Sequence, residues 1–219
     1  MRRFAIGLLA SSLLTLLSGA QASGLGARME RVMAAPPPER ASRTRRLSGE
    51  DIGAGLKGAL MDGASLAVLE LGAPGGFGEP SIYRIEPLQI HDRHDHLARA
   101  AERTASQAGP ILREAINALY FPDPQALLDA DSSAATNFLR DHAAEHLRSE
   151  LTPVARHAYA AAAIPGRYGA MPSPRIADHI AHGTVDALFQ AIGRQEQLIR
   201  RVPSARGTPH LARVFGATT

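Results

Sequence analysis

Apolar residues recur three and four positions apart over most of this chain, and that period decides the fold class. Leu97 to Gln107, Pro110 to Tyr120 and Asp123 to Leu128 each read as helix, with Pro110 suitably placed in a first turn. Asp131-Ser132-Ser133 offers caps for a long helix carrying Phe138, Leu139, Leu147, Leu151 and Val154, in which Pro153 is expected to produce a kink. Ile176, Ile180, Leu188, Phe189, Ile192 and Ile199 mark another, after a loop from Pro165 to Pro174, and a short one ends at Val214-Phe215-Gly216. Against these stands one extended run, Ser81 to Ile90, where Pro87 bars a central strand. A strand without a partner makes no sheet, so the expected fold is all-α: an irregular multi-helix domain with at most one short extended segment.

The first helix of the domain has a readable start and stop. Ser48 is the N-cap, Asp51 holds the capping-box position, Ile52, Leu56, Leu60, Gly63, Ala67 and Leu71 form one stripe, and Gly72 closes it. Glycines at 53, 55, 58 and 63 each cost about 1 kcal/mol relative to alanine, so packing must hold this helix, and its small residues invite a close neighbour. Pro74 to Pro80 is a loop. Gly75, Gly76 and Phe77 within it have two readings: backbone N–H groups offered to an anion, or a helix stop with Phe77 plugged into the core. The loop continues to Glu79-Pro80 rather than Gly-Lys-Ser/Thr, which favours the second.

Ahead of the domain, Met1-Arg2-Arg3, an apolar run from Phe4 to Leu17 and Ser18-Gly19-Ala20-Gln21-Ala22 have the order of a secretory signal peptide cut near Ala22. The run is shorter than the roughly 20 residues a spanning helix needs, so no transmembrane segment is expected after processing. Residues 23–46, with Pro36-Pro37-Pro38 and Arg31, Arg40, Arg43, Arg45 and Arg46, read as a flexible leader, residues 47–216 as a single helical domain and 217–219 as a tail. The expected location is periplasmic or secreted. The absence of cysteine excludes disulfides, lipid attachment at a processed N-terminal Cys and thiol chemistry. The 24 basic side chains, less Arg2 and Arg3, nearly balance 21 acidic ones, which argues against nucleic acid as a partner. Lys57 is the only lysine, a bias attributable to base composition.

Candidate chemistry is sparse, and no cofactor motif is present. His91, His94 and His96, with Asp92 and Asp95, suit a zinc or copper ion, although the same run also suits a solvated helix N-terminus. His142 and His146 share one helix face, as do His179 and His182, and four imidazoles converge only if those helices meet there. Gly63-Ala64-Ser65-Leu66-Ala67 resembles a nucleophile elbow but lacks the last glycine and lies in a helix. Thr136 and Arg140, with Asp131 before them, read either as an anion or partner contact or as structural groups: Asp131 a cap, Arg140 an ion-pair donor to Asp186.

The pieces Leu47-Ser48, Gly55-Leu56-Lys57, Ala59-Leu60, Gly63-Ala64 and Leu71 to Phe77 are followed by Pro110-Ile111-Leu112 and Ala115-Ile116. After them come Ala134-Ala135-Thr136, Arg140, Pro153-Val154, Asp186, Leu188-Phe189, Glu196, Ile199-Arg200, Pro203 and Val214-Phe215-Gly216. In that order the chain resembles the bacterial domain-of-unknown-function family numbered forty-one ninety-seven. The resemblance implies export and a helical fold and carries no activity. The chain departs from it at Ala130-Asp131, where relatives have Gly-Asp, and at Arg194-Gln195-Glu196, where they have successive glutamates; the second departure argues against an acidic cluster there. The expected function is that of a non-catalytic exported envelope protein binding an envelope partner or a small ligand, the alternative being a metal-dependent enzyme or metal carrier built on His91 to His96.

Overall fold

The first turn of the domain is closed by the residues expected to close it. Ser48 Oγ accepts from Asp51 N at 3.0 Å while Asp51 Oδ2 accepts from Ser48 N at 3.2 Å, a reciprocal capping box. The helix that follows, α1, runs Gly49–Gly72, and Ala73 leaves it in an extended conformation. The structure, a computed structural model, describes residues 47–78, 81–86, 94–162 and 174–216. Residues 1–46, where the signal peptide and leader are expected, lie outside those residues, as do His91, residues 165–173 and residues 217–219.

Six further α-helices follow α1 among the described residues: α2 His94–Ser106, α3 Gly109–Ala118, α4 Pro124–Asp129, α5 Ala134–Ala162, α6 Pro174–Arg201 and α7 Pro209–Gly216. A 3₁₀ turn, Pro203–Ala205, joins the last two. The fold is all-α, and residues 81–86 of the extended run are irregular rather than a strand. Pro153 lies inside α5, which continues as helix to Ala162.

α1 is the axis of the domain. It packs against each of the other six helices, and the stripe from Ile52 to Leu71 is buried along its whole length. α1 is also long and apolar enough to cross a membrane by length and composition, but this buried stripe makes it the core helix here. Burial of Ile52, Leu56, Leu60 and Leu71 contributes about 1.5–3 kcal/mol each, more than the helix's glycines take away. Two of those glycines set the packing distance: a Cβ at Gly55 would stand 2.7 Å from Val214 of α7, and one at Gly63 would stand 3.3 Å from Ile192 of α6. α5 and α6 form an antiparallel pair across the core, Thr136 facing Glu196 and Arg148 facing Asp186.

The capping box carries a test. Its hydrogen bonds from the Ser48 hydroxyl and backbone, with Arg213 nearby, hold the Asp51 carboxyl below the usual carboxylate range. A lowered folded-state pKa stabilises above the unfolded value and is lost as pH falls through the folded one. Ser48→Ala, which removes the N-cap acceptor, should lower stability at neutral pH. In urea titrations the gap from the parent should narrow below about pH 4, as Asp51 protonates.

Candidate functional site

The start of α5 needs partners for its free N–H groups, and a side chain from sixty residues away supplies them. Glu196, 1% exposed on α6, accepts from Ala135 N at 3.2 Å, Thr136 N at 2.8 Å and Thr136 Oγ1 at 2.7 Å. Arg200, one turn on, pairs with Glu196 at 2.8 Å and donates to the carbonyls of Leu128 at 2.7 Å and Leu127 at 2.9 Å, at the end of α4. A carboxylate thus sits at a helix N-terminus and a guanidinium at a helix C-terminus, each complementing the local dipole. Arg206 caps the end of α6 in the same way, through the carbonyls of Ile199 and Arg200. The pattern left one clue to Glu196: it occupies the buried stripe between Ile192 and Ile199, with an arginine four residues later.

Above this buried pair lies a cleft of about 290 Å³ between α5 and α6. Arg140, Arg194, Asn137, Gln190 and Gln197 supply its polar wall, Phe189 and Ile82 its apolar one. Arg140 stacks its guanidinium carbon 5.3 Å from the centre of the Phe189 ring, and its Nε is buried with no hydrogen-bond partner. Among the described residues no carboxylate pairs with it. Arg194 lies 5.0 Å from the centre of the Tyr83 ring and pairs with Glu70 at 2.8 Å. Burial pushes the Tyr83 phenol up, against the pull of that arginine, so it stays neutral. Gln197 donates to Ser133 Oγ at 2.9 Å, which leaves the Ser133 proton to be donated in turn.

The other candidate residues are placed as follows. Asp131 caps locally, accepting from Ser133 N at 3.1 Å, while Glu196 takes the first-turn amides of α5. The expected Arg140–Asp186 pair is not made: Asp186 is bound by Arg148 at 3.4 Å and by His182 at 3.3 Å. In the antiparallel register Arg140 reaches Phe189, and Asp186 lies most of a turn further along, opposite Arg148. His96 turns into the core at 6% exposure, its ring 4.8 Å from that of Tyr159. His142 donates to Phe138 O at 2.8 Å, and His179 donates to Glu86 O at 2.6 Å. These imidazoles are engaged separately, and no group of three or more His, Asp or Glu side chains suited to a metal occurs among the described residues. Gly75 (φ 88°) is left-handed, its N–H goes to Glu102 at 2.8 Å and that of Gly76 to Ala73 O at 3.0 Å, while Phe77 is 1% exposed. That loop is a helix stop with a buried plug. Ser65 Oγ is turned back to Met61 O at 2.9 Å within α1. A larger groove of about 500 Å³, beside Tyr120 and Phe121, has its one lysine, Lys57, committed to Asn117 O at 2.7 Å.

Fold and cleft together define an all-α domain stapled by a buried ion pair, with a small polar cleft over it. The chain belongs to the family described as protein of unknown function, DUF4197, whose model matches residues 87–216. The match takes in α2 to α7, and with them the buried pair and the α5–α6 side of the cleft, while α1 precedes it. Comparisons with curated proteins and with solved structures find no match.

Proposed function

We propose that this chain is an exported, non-catalytic protein that binds a small ligand in the cleft between α5 and α6, residues 1–22 being the export signal. The observation that carries the reading is Arg140: a guanidinium held against Phe189, with a buried unpartnered Nε and no carboxylate, in a cleft lined by amides. Buried polar groups normally find partners, and a cleft with a few convergent polar groups is the usual form of a ligand site.

The test is a thermal-shift screen of the intact domain against charged and neutral metabolites of a few carbons, repeated on Gly193→Leu. A Cβ at Gly193 meets the Thr136 and Ser133 side chains at 3.7 and 3.8 Å, ordinary contact, so a side chain can start there on the cleft wall, and the unliganded melting temperature of Gly193→Leu shows that the variant is folded. Hits on the parent that vanish in Gly193→Leu support the reading; hits that survive place binding elsewhere. Turnover of ester, glycoside, peptide or phosphate substrates, or native protein retained in the cytosol with residues 1–22 attached, overturns the rest.

A further inference from the structure

We infer that the cleft takes a compact oxyanion, a small molecule bearing a carboxylate or phosphate group that Arg140 and Arg194 grip together; this rests on the cleft being the ligand site. Three other arginines of α5 and α6 each face a carboxylate: Arg148 meets Asp186 at 3.4 Å, Arg194 meets Glu70 at 2.8 Å and Arg200 meets Glu196 at 2.8 Å. Among the described residues Arg140 has none, so of the two arginines lining the cleft it is the one whose charge they leave uncompensated. The guanidinium lies over the Phe189 ring, 5.3 Å from its centre, and a guanidinium presents parallel N–H groups at the spacing of a carboxylate or phosphate edge. Arg194 is anchored on one side by Glu70 and Tyr83 and keeps N–H groups for a second oxygen.

The neutral groups around them suit the same guest. Asn137 and Gln190 offer amide N–H donors, and Ser133, already accepting from Gln197, has its proton to give. The N-terminus of α5 adds nothing, because Glu196 already occupies its amides and Arg200 neutralises that carboxylate. Anion recognition here is therefore a matter of side chains, not of a helix dipole. At about 290 Å³ the cleft has room for roughly ten waters, below the usual range for larger ligands, so the guest is compact. Phe189 and Ile82 leave an apolar wall for a short hydrocarbon stretch.

Titration calorimetry of the intact domain at low ionic strength, with succinate, inorganic phosphate and neutral succinamide as probes, tests this directly. Succinate, phosphate or both should bind and succinamide should not; succinate alone assigns a carboxylate guest and phosphate alone a phosphate one. Arg140→Gln should weaken the anion by about tenfold to a hundredfold, the worth of a hydrogen bond to a charged group. Arg140→Lys should recover part of it, since an ammonium keeps the charge but not the fork, and the exposed control Arg99→Gln should change nothing. Unliganded melting temperatures show that each variant is folded. Equal binding of succinamide, unchanged affinity in Arg140→Gln, or no response to either anion at millimolar concentration overturns the inference. If neutral probes bind and Gly193→Leu blocks them, the cleft stands and the anion falls; if anions bind equally well to Gly193→Leu, the cleft itself is wrong.

Discussion

Glu196→Ala should lower the stability of the domain by about 3–5 kcal/mol, the usual result of removing one member of a buried ion pair. The substitution leaves the Arg200 guanidinium, 10% exposed, facing a void and strips Ala135 N, Thr136 N and Thr136 Oγ1 of their acceptor. Whole domains are stable by about 5–15 kcal/mol, so the loss is a large share. Glu196→Gln keeps the volume and an acceptor oxygen and should cost less, about 1–3 kcal/mol. Guanidinium titrations should show a lower midpoint with an unchanged slope. A Glu196→Ala protein no weaker than one carrying the exposed change Glu150→Ala would refute the account of the pair.

The second large effect is expected at Phe77. This ring is 1% exposed, enters the core from the loop after α1 and lies 6.5 Å from the Tyr83 ring. Phe77→Ala should cost about 3–5 kcal/mol through lost burial and the cavity left behind. Phe77→Leu should recover much of it, since volume is largely kept. Gly76 explains why the plug sits where it does: a Cβ there would stand 2.8 Å from Glu70 O, so only glycine lets the chain turn this tightly behind the helix. Hydrogen exchange in Phe77→Ala should accelerate first in the last turns of α1. Uniform acceleration across all helices would mean that the ring supports the whole core rather than this junction.

Local features of the fold were legible because their causes are local. The Ser48–Asp51 box, the buried stripe of α1, the close approach at Gly55 and Gly63, and the Phe77 plug follow from periods and residue types within a few positions. The candidate site was legible only in part. Thr136 and Arg140 stood out, but which carboxylate faces which arginine depends on how α5 and α6 are aligned, and a shift of about two turns exchanges Asp186 from Arg140 to Arg148. Glu196 was hidden for the same reason, since its role exists only once two segments sixty positions apart are side by side. His96 was not legible as a core residue. Within the run from His91 it resembles a ligand, whereas three-dimensionally it belongs to the stripe of α2 that contains Leu97 and Ala100.

The cap that Glu196 provides also orders events in time. A nascent chain that has emerged only through Ala162 has the α5 segment complete but no acceptor for its opening amides, and the end of α4 still lacks the Arg200 donor. Both ends become satisfied together when α6 docks. The first turn of α5 and the last turn of α4 are therefore expected to gain and lose their order together with α6 rather than helix by helix.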